Sequence, residues 1–485
     1  MDGPSVSSEI ERHKSAISRT DLSRPVRLAL ETGLLDSAST LFDFGCGRGG
    51  DVERLLRLGV TAQGWDPFYR PDTQKIPSDV VNLGYVLNVI EAEHERRTTL
   101  REAWSLTQKA LVVAAQTTFD RKSDVAAEYS DGIVTSRQTF QKYFEQDELK
   151  QYIESSLEVD AVPLALGVFV VFRDSAAAES FRASRIRSRI TIPRIKLPTR
   201  KFEDFVDILN PLMAFMTERG RLPAVGELSS EDPIRANFGS IRQAWKFVLK
   251  STDSSEWEEI SAKRRLDLLL YLALTTFTKR PRLSLLPQFM QNDFRAFFLS
   301  YRDACRIADQ MLFSLGLPGV IQHCARSSLV GKLLPDALYV HVSALSSVDP
   351  LLRLYEGCAS RTVGRMNDTT LVKFHISEPK ISYLEYPTFD AHPHPALKTS
   401  MQIDLRDLHI KYFDYDLRDN PPILHRKETF VMPDYPNHDI FANLTASEER
   451  LGLLENPKSI GTLLGWKRRL QEKNVHLEGH QVVSS

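Results

Sequence analysis

Leu41-Phe42-Asp43-Phe44-Gly45-Cys46-Gly47-Arg48-Gly49-Gly50-Asp51 carries the residues of this chain best suited to chemistry. The apolar run reads as a short buried strand that turns through glycines into a helix, and a second strand tip follows at Gly64-Trp65-Asp66-Pro67. Gly45 lets the chain leave the strand in a conformation that a side chain resists, while Gly47 and Gly49 keep Cβ atoms off the loop so that backbone can lie against a ligand. Asp43 is placed to accept hydrogen bonds from an ammonium group, directly or through water, and Asp66 to chelate a ribose diol. A cationic amino-acid tail joined to a free ribose diol is the chemistry of S-adenosylmethionine. Gly45-x-Gly47-x-x-Gly50 also satisfies the dinucleotide pattern. That fingerprint usually has an apolar residue where Asp43 stands, and a pyrophosphate would be repelled there. The expected cofactor is therefore S-adenosylmethionine, with Trp65, Pro67 and Phe68 offering apolar contact to the adenine.

A third strand, Ser78-Asp79-Val80-Val81-Asn82-Leu83-Gly84, brings its tip toward the same place, because ligands of open sheets bind at the carboxyl ends of the strands. Asn82 and Tyr85 are the polar residues expected to orient a methyl acceptor, with backbone capping and packing as their plainer roles. Methyl transfer is a displacement at carbon, so alignment and exclusion of water supply much of the rate.

The elements that must position these residues alternate. A helix capped by Ser23 with Pro25 in its first turn precedes the first strand; the helix DVERLLRLG stops at Gly59. The strand TAQGWD, the helix HERRTTLREAWSLTQK, the strand ALVVAAQ, a helix over SRQTFQKYFEQDELKQYIESSL and a closing strand ALGVFVVFRD follow. Alternation of this kind predicts an α/β, Rossmann-like sheet over residues 1–175. Between Asp66 and Ser78 there is no room for a further helix and strand, so a shortened third-strand region is expected.

At 485 residues the chain is too long for one ordinary core. Its 62 basic and 63 acidic residues nearly balance, so any field that attracts nucleic acid must be local. Four scattered cysteines, Cys46, Cys305, Cys324 and Cys358, form no Cys-x-x-Cys pair; together with a polar start and no long apolar stretch, they point to a cytoplasmic protein without a membrane partner. Residues 176–201 read as a basic linker, with Arg185, Arg187, Arg189, Arg194 and Lys196 as candidate phosphate contacts and a solvated linker as the alternative. Residues 202–330 read as a helical domain, in which Ser240 caps a helix carrying Arg242 and Lys246, also candidates for DNA. Residues 331–485 read as an α+β domain. Its histidines include His392-x-His394 beside Asp390, for which hydrogen-bonded structural roles are expected ahead of a metal. Asp419-Asn420-Pro421-Pro422-Ile423 resembles the flipped-base turn of amino-methylating DNA enzymes, but Ile423 offers no aromatic face, so a stiff turn is expected.

The combination of RHKSAISRTDLSRPV, FDFGCGRGGD, GWDPF, DVVNLGYVLNVIE, LVVAAQ, GKLLPDALYVH, LYEGCA, YPTFDAHPHPAL and NPPILHRKETF resembles the DNA phosphorothioation-associated methyltransferase family over nearly the full length. The resemblance implies a bacterial setting beside genes that place sulfur in the DNA backbone, DNA and proteins of that system as partners, and S-adenosylmethionine-dependent methyl transfer. The rival expectation is a non-catalytic DNA-binding or assembly subunit with a vestigial cofactor site.

Overall fold

The computed structural model describes all residues except 1–9, 17, 18, 20, 122–126, 190–201, 203, 230, 367, 417 and 485. The chain forms two compact units, Met1–Ala178 with Ser360–Asn367, and Glu179–Ala359 with Asp368–Ser485.

In the first unit, α1 (Arg24–Glu31) leads to β1 (Thr40–Phe44), then α2 (Gly50–Arg57), β2 (Thr61–Trp65), β3 (Ser78–Gly84), α3 (Glu93–Ser105) and β4 (Thr107–Ala114). After a small three-stranded sheet of β5 (Ala127–Tyr129), β6 (Gly132–Val134) and β7 (Phe140–Gln141) come α4 (Gln146–Leu157), β8 (Ala161–Ala165) and β9 (Val168–Phe172). The main sheet is ordered β2-β1-β3-β4-β9-β8, parallel across its first four strands and antiparallel at β9 and β8. It is Rossmann-like, mixed and mostly parallel. β1, β3 and β4 are near-continuous apolar runs because both faces are covered; Phe42, Val81, Leu83, Leu111 and Val113 are buried there with Leu100 of α3 and Ile153 of α4. β2 is the edge strand, and residues 66–77 form a loop closed by an Asp66–Arg70 bridge, in keeping with the short segment read from the sequence.

Two sequence expectations are corrected here. The helix expected over 136–157 starts only at Gln146, because Phe140-Gln141 pairs with β6 after a tight turn in which Gln138 has φ +61°. Glu145 then opens the helix in a capping box with Glu148. The strand β8 lies outside the elements expected from the sequence. It contains Pro163, which weakens a strand reading, but it lies at the sheet edge, where a missing N–H is tolerated.

One ion pair, buried at its Arg96 end and exposed at its Asp131 end, ties the small sheet to α3. Arg96 is 1% exposed and bonds Asp131 at 2.5 Å, and Lys142 reaches the same carboxylate at 3.0 Å. Burial alone would raise the Asp131 carboxyl, but the hydrogen bonds from Arg96 and Lys142 win, and it is held below its ordinary value. Asp131→Asn should therefore leave the buried Arg96 guanidinium without its charged partner and destabilise this unit by about 1 kcal/mol, since the carboxylate end is open to solvent. A denaturant titration followed by far-UV circular dichroism measures it, and an unchanged midpoint contradicts it.

In the second unit, helices Val206–Arg219, Glu231–Phe238, Ile241–Ser251, Ser254–Leu274, Gln288–Phe297 and Tyr301–Ser314 precede a six-stranded antiparallel meander. Its strands are β10 (Lys332–Leu334), β11 (Ala337–His341), β12 (Leu371–His375), β13 (Lys380–Glu385), β14 (Thr399–Asp404) and β15 (Ile410–Asp414). Ser240 caps the helix Ile241–Ser251 by accepting from Gln243 N at 3.2 Å. The stretch read as an extended basic linker is helical at its start: α5 spans Ser175–Ser184, an alanine-rich segment of high helix propensity. Arg182 within it pairs with Glu179. No helix among the described residues is long and apolar enough to cross a membrane.

Candidate functional site

β1 runs between β2 and β3, with Asp43 in register with Gly64 on one side and Asn82 on the other. The chain then turns: Gly45, Gly47 and Gly49 have φ of +81°, +52° and +80°, the left-handed region that glycine alone enters cheaply. A Cβ at Gly45 would lie 2.5 Å from Val86 Cγ2, and one at Gly49 would overlap the Arg70 guanidinium. Gly45 and Cys46 both donate their N–H to Trp65 O, at 2.8 and 3.0 Å, which ties the turn to the end of β2. Gly64 is required by packing, since its Cβ would sit 2.8 Å from Cys46 Cβ and 2.9 Å from Val52 Cγ2.

Above the strand tips lies a cavity of about 1250 Å³ lined by Gly45, Cys46, Gly47, Asp51, Trp65, Asp66, Pro67, Phe68 and Tyr85, with Ile10, Arg12, His13 and Ala16 of the N-terminal segment on another wall. Acidic side chains outnumber basic ones in its lining, which suits a cationic ligand better than a pyrophosphate. Asp66 is held rigidly: its Oδ2 accepts from Gly47 N at 3.0 Å, and its Oδ1 accepts from Phe68 N and Tyr69 N, both at 2.9 Å. Asp51, in the first turn of α2, accepts from Ser23 N at 2.7 Å.

Asp43 is buried beneath the turn and does not line the cavity. Its Oδ1 accepts from Asn82 Nδ2 at 2.7 Å. Burial, reinforced by the nearby Asp51 charge, pushes its carboxyl up to about 7 against the bond from Asn82. The Cys46 thiol is likewise pushed up to about 12, by burial and then by Asp43, so it stays protonated.

Of the two residues expected to face an acceptor, Tyr85 lines the cavity and Asn82 does not. Asn82 is buried and turned onto Asp43, because a side chain one strand over in register meets it before any ligand does. Its expected acceptor contact is corrected to a hold on Asp43. Tyr85 has φ +62°, uncommon for an aromatic residue and a strain that clusters at functional sites. Its N–H bonds Ala114 O at 2.7 Å, and the Arg19 guanidinium lies 5.6 Å from its ring.

Trp65, Pro67 and Phe68 all reach the cavity wall. Trp65 is half-buried against Phe44, with its indole N–H donating to Pro71 O at 3.2 Å. Phe68 is 59% exposed and stacks on His13 at 4.2 Å. The N-terminal wall carries no residue pattern that marks a site by itself. Arg12 clamps it by bonding Glu91 at 2.8 Å and Glu95 at 2.5 Å, Tyr69 OH donates to His13 O at 3.1 Å, and a Cβ at Gly47 would meet Ala16 at 3.2 Å. The available signal was the cation-rich run around Arg12, whose partners lie some eighty positions away.

Among the described residues, three of the candidate DNA contacts already have partners within the protein. Arg187 bonds Glu218 O at 2.8 Å, Arg189 pairs with Asp434 at 2.5 Å, and Arg185 lies over Phe181 at 5.8 Å. Arg194 and Lys196 fall outside the described residues. Arg242 and Lys246 stand exposed one turn apart on the helix Ile241–Ser251. The Asn420-Pro-Pro segment is structural in its contacts: Asn420 Oδ1 accepts from Leu464 N at 2.8 Å, and Pro421 O accepts from Leu463 N at 3.0 Å. Asp390, His392 and His394 do not converge. Asp390 accepts from Tyr435 and Asn437, while His392 Nδ1 accepts from His394 N at 3.1 Å.

No protein-family model matches the chain, and no curated protein matches it. Among solved structures, the 1,6-didemethyltoxoflavin-N1-methyltransferase of Burkholderia thailandensis is similar at 13% identity, over 31% of this chain and 79% of that chain, with a TM-score of 0.23. The CcbJ methyltransferase of Streptomyces caelestis is similar at 13% identity, over 33% of this chain and 93% of that chain, with a TM-score of 0.25. Magnesium protoporphyrin IX methyltransferase of Synechocystis PCC 6803, with bound S-adenosylmethionine, gives 12% identity over 31% and 76%, with a TM-score of 0.22. The strand order and the glycine turn, rather than these distant likenesses, carry the fold class.

Proposed function

We propose that the first unit binds S-adenosylmethionine and transfers its methyl group to DNA, in association with a bacterial phosphorothioate modification or restriction system. The observation that carries the cofactor is the buried Asp43 beneath three left-handed glycines, with the rigid Asp66 at the neighbouring strand tip. Asp43 supplies negative charge under the turn for the ligand's cationic tail, and Asn82 orients that carboxylate. Asp66 keeps one lone pair, on Oδ2, for the ribose diol, while Trp65 and Phe68 offer aromatic surface to the adenine. The bound cofactor supplies an electrophilic methyl group. Tyr85, at the strand tip, positions the acceptor, and the cavity exceeds the usual size of a small-molecule pocket, which leaves space for a second molecule. A DNA base taken as acceptor must leave its stack. The phosphorothioation setting rests on the motif resemblance, and Arg242 with Lys246 are the exposed cations best suited to phosphate.

A second reading, a non-catalytic assembly or DNA-binding subunit, is favoured by the turning of Asn82 away from the cavity. The two part on Tyr85→Ala. Under the first reading it keeps cofactor affinity within about threefold but lowers methyl transfer by more than about 100-fold, as expected for a positioning loss. The measurements are calorimetry of the wild type and the variant with the cofactor, and mass spectrometry of nucleosides from cells that carry the wild-type gene, the Tyr85→Ala gene or neither. Identical nucleoside profiles, alongside intact cofactor binding, support the second reading.

A further inference from the structure

The second unit holds a buried histidine–carboxylate cluster that the proposed methyl transfer does not use. His394 follows β13, His425 follows the Asn420-Pro-Pro turn, and Glu448 lies on the helix His438–Arg450. One potential ligand atom from each lies within 4.8 Å of the others. Glu448 is 0% and His394 2% exposed. The two imidazole centroids are 4.4 Å apart, and the Trp466 ring covers both at 4.6 and 4.7 Å.

Backbone carbonyls fix both tautomers. His394 Nδ1 lies 2.9 Å from Leu424 O, so it carries the proton and leaves a lone pair on Nε2. His425 Nε2 lies 2.8 Å from Ile460 O, so its lone pair is on Nδ1. A carbonyl bound to the far nitrogen is the arrangement that orients metal-ligating histidines. The His394 lone pair then faces Glu448 Oε1 at 2.6 Å, a repulsive approach that a shared proton relieves, or that a cation relieves once the two ligand atoms part to the roughly 3.3 Å of a tetrahedral site.

A proton would satisfy that one contact only. It leaves two further buried acceptors, His425 Nδ1 and Glu448 Oε2, without any partner. Orphaned buried acceptors are costly, and a shared cation satisfies all of them together. Two neighbouring ammonium groups are already engaged: Lys427 Nζ donates to Phe389 O at 2.6 Å and His392 O at 2.7 Å and lies 3.0 Å from His480 Nε2, and Lys332 Nζ donates to His425 O at 3.5 Å.

We propose that His394 Nε2, His425 Nδ1 and the Glu448 carboxylate bind one divalent transition-metal ion, zinc in the first instance. Two imidazoles and one carboxylate are a ligand set zinc accepts, with a fourth tetrahedral position left to water. The ion would tie together three segments that share no strand, the most distant ligands being 54 positions apart.

The test uses the full chain, produced without a histidine tag in zinc-supplemented medium and desalted. Inductively coupled plasma mass spectrometry should find about one zinc per chain. Chelator-stripped protein should take up Co(II) and show the visible absorption of a tetrahedral site. Glu448→Gln keeps a donor for His394 Nε2, so it should fold by circular dichroism, yet its metal affinity should fall by more than about 100-fold, beyond the loss of an outer-shell partner. Wild-type chain that carries no metal and takes up no Co(II) after stripping overturns the site in favour of a proton shared between His394 and Glu448. A folded Glu448→Gln chain that keeps stoichiometric zinc overturns it as well. If that variant does not fold, the zinc content and Co(II) uptake of the wild-type chain decide alone.

Discussion

Gly45→Ala should weaken S-adenosylmethionine binding by about 100-fold while leaving the sheet folded. The residue has φ +81°, where an L side chain costs about 1–2 kcal/mol. Its new methyl would lie 2.5 Å from Val86 Cγ2, a clash that costs about 1–3 kcal/mol or moves the loop. Both costs fall on the turn that Gly45 N and Cys46 N hold against Trp65 O, so a displaced loop also displaces the Gly47 N–H that fixes Asp66. A sum near 3 kcal/mol corresponds to about two orders of magnitude in affinity. Gly59→Ala is the control, because it has φ +79° and nothing within 4 Å of its Cβ position, at the end of α2 away from the turn. It should share the backbone cost and spare the ligand. Calorimetry on the two variants separates them, and equal affinities would remove the glycine turn from the binding site.

That turn was legible because each signal is local. Glycine spacing, the apolar run of β1 and the acid at the tip of β2 lie within about two dozen residues, and each has one physical meaning. The missing crossover between Asp66 and Ser78 was legible for the same reason, as a shortage of residues. The pairings were not. Nothing near Asn82 in the sequence shows that Asp43 stands beside it in register, so its amide was read as facing a ligand. Arg12 closes one wall of the cavity through Glu91 and Glu95, and that contact exists only once α3 has packed. The basic run from Arg185 to Arg189 reads as a linker with free cations because its acidic partners, Glu218 and Asp434, are remote in the chain. His394 stands beside His392 and Asp390 in the sequence, whereas its spatial neighbours are His425 and Glu448. Local chemistry was readable, and side-chain partnership across elements was not.

The second large effect is a pH dependence centred on Asp43. The ligand-free carboxyl is raised to about 7 by burial and the Asp51 charge, so below that pH it is mostly neutral. A cationic ligand favours the ionised form, and its binding must expel the proton. Affinity should therefore rise with pH, by up to about tenfold per unit, until about pH 7 and then level off. Folding stability without ligand runs the other way. The unfolded Asp43 ionises near its ordinary value while the folded one holds its proton to about 7, so across that window the folded state binds more protons and loses stability as pH rises. Above pH 7 the ligand offsets the buried charge, so its protection against heat should be larger at pH 8 than at pH 6. Asp43→Asn removes the titrating group but keeps the shape: it should flatten the affinity profile between pH 6 and 8 and lower affinity at pH 8 by more than about tenfold. Calorimetry in buffers of different ionisation enthalpy should detect close to one proton released at pH 6 in the wild type and none in the variant. An unchanged profile in Asp43→Asn would mean that another group takes the ligand's charge, Asp51 being the nearest acid on the cavity wall.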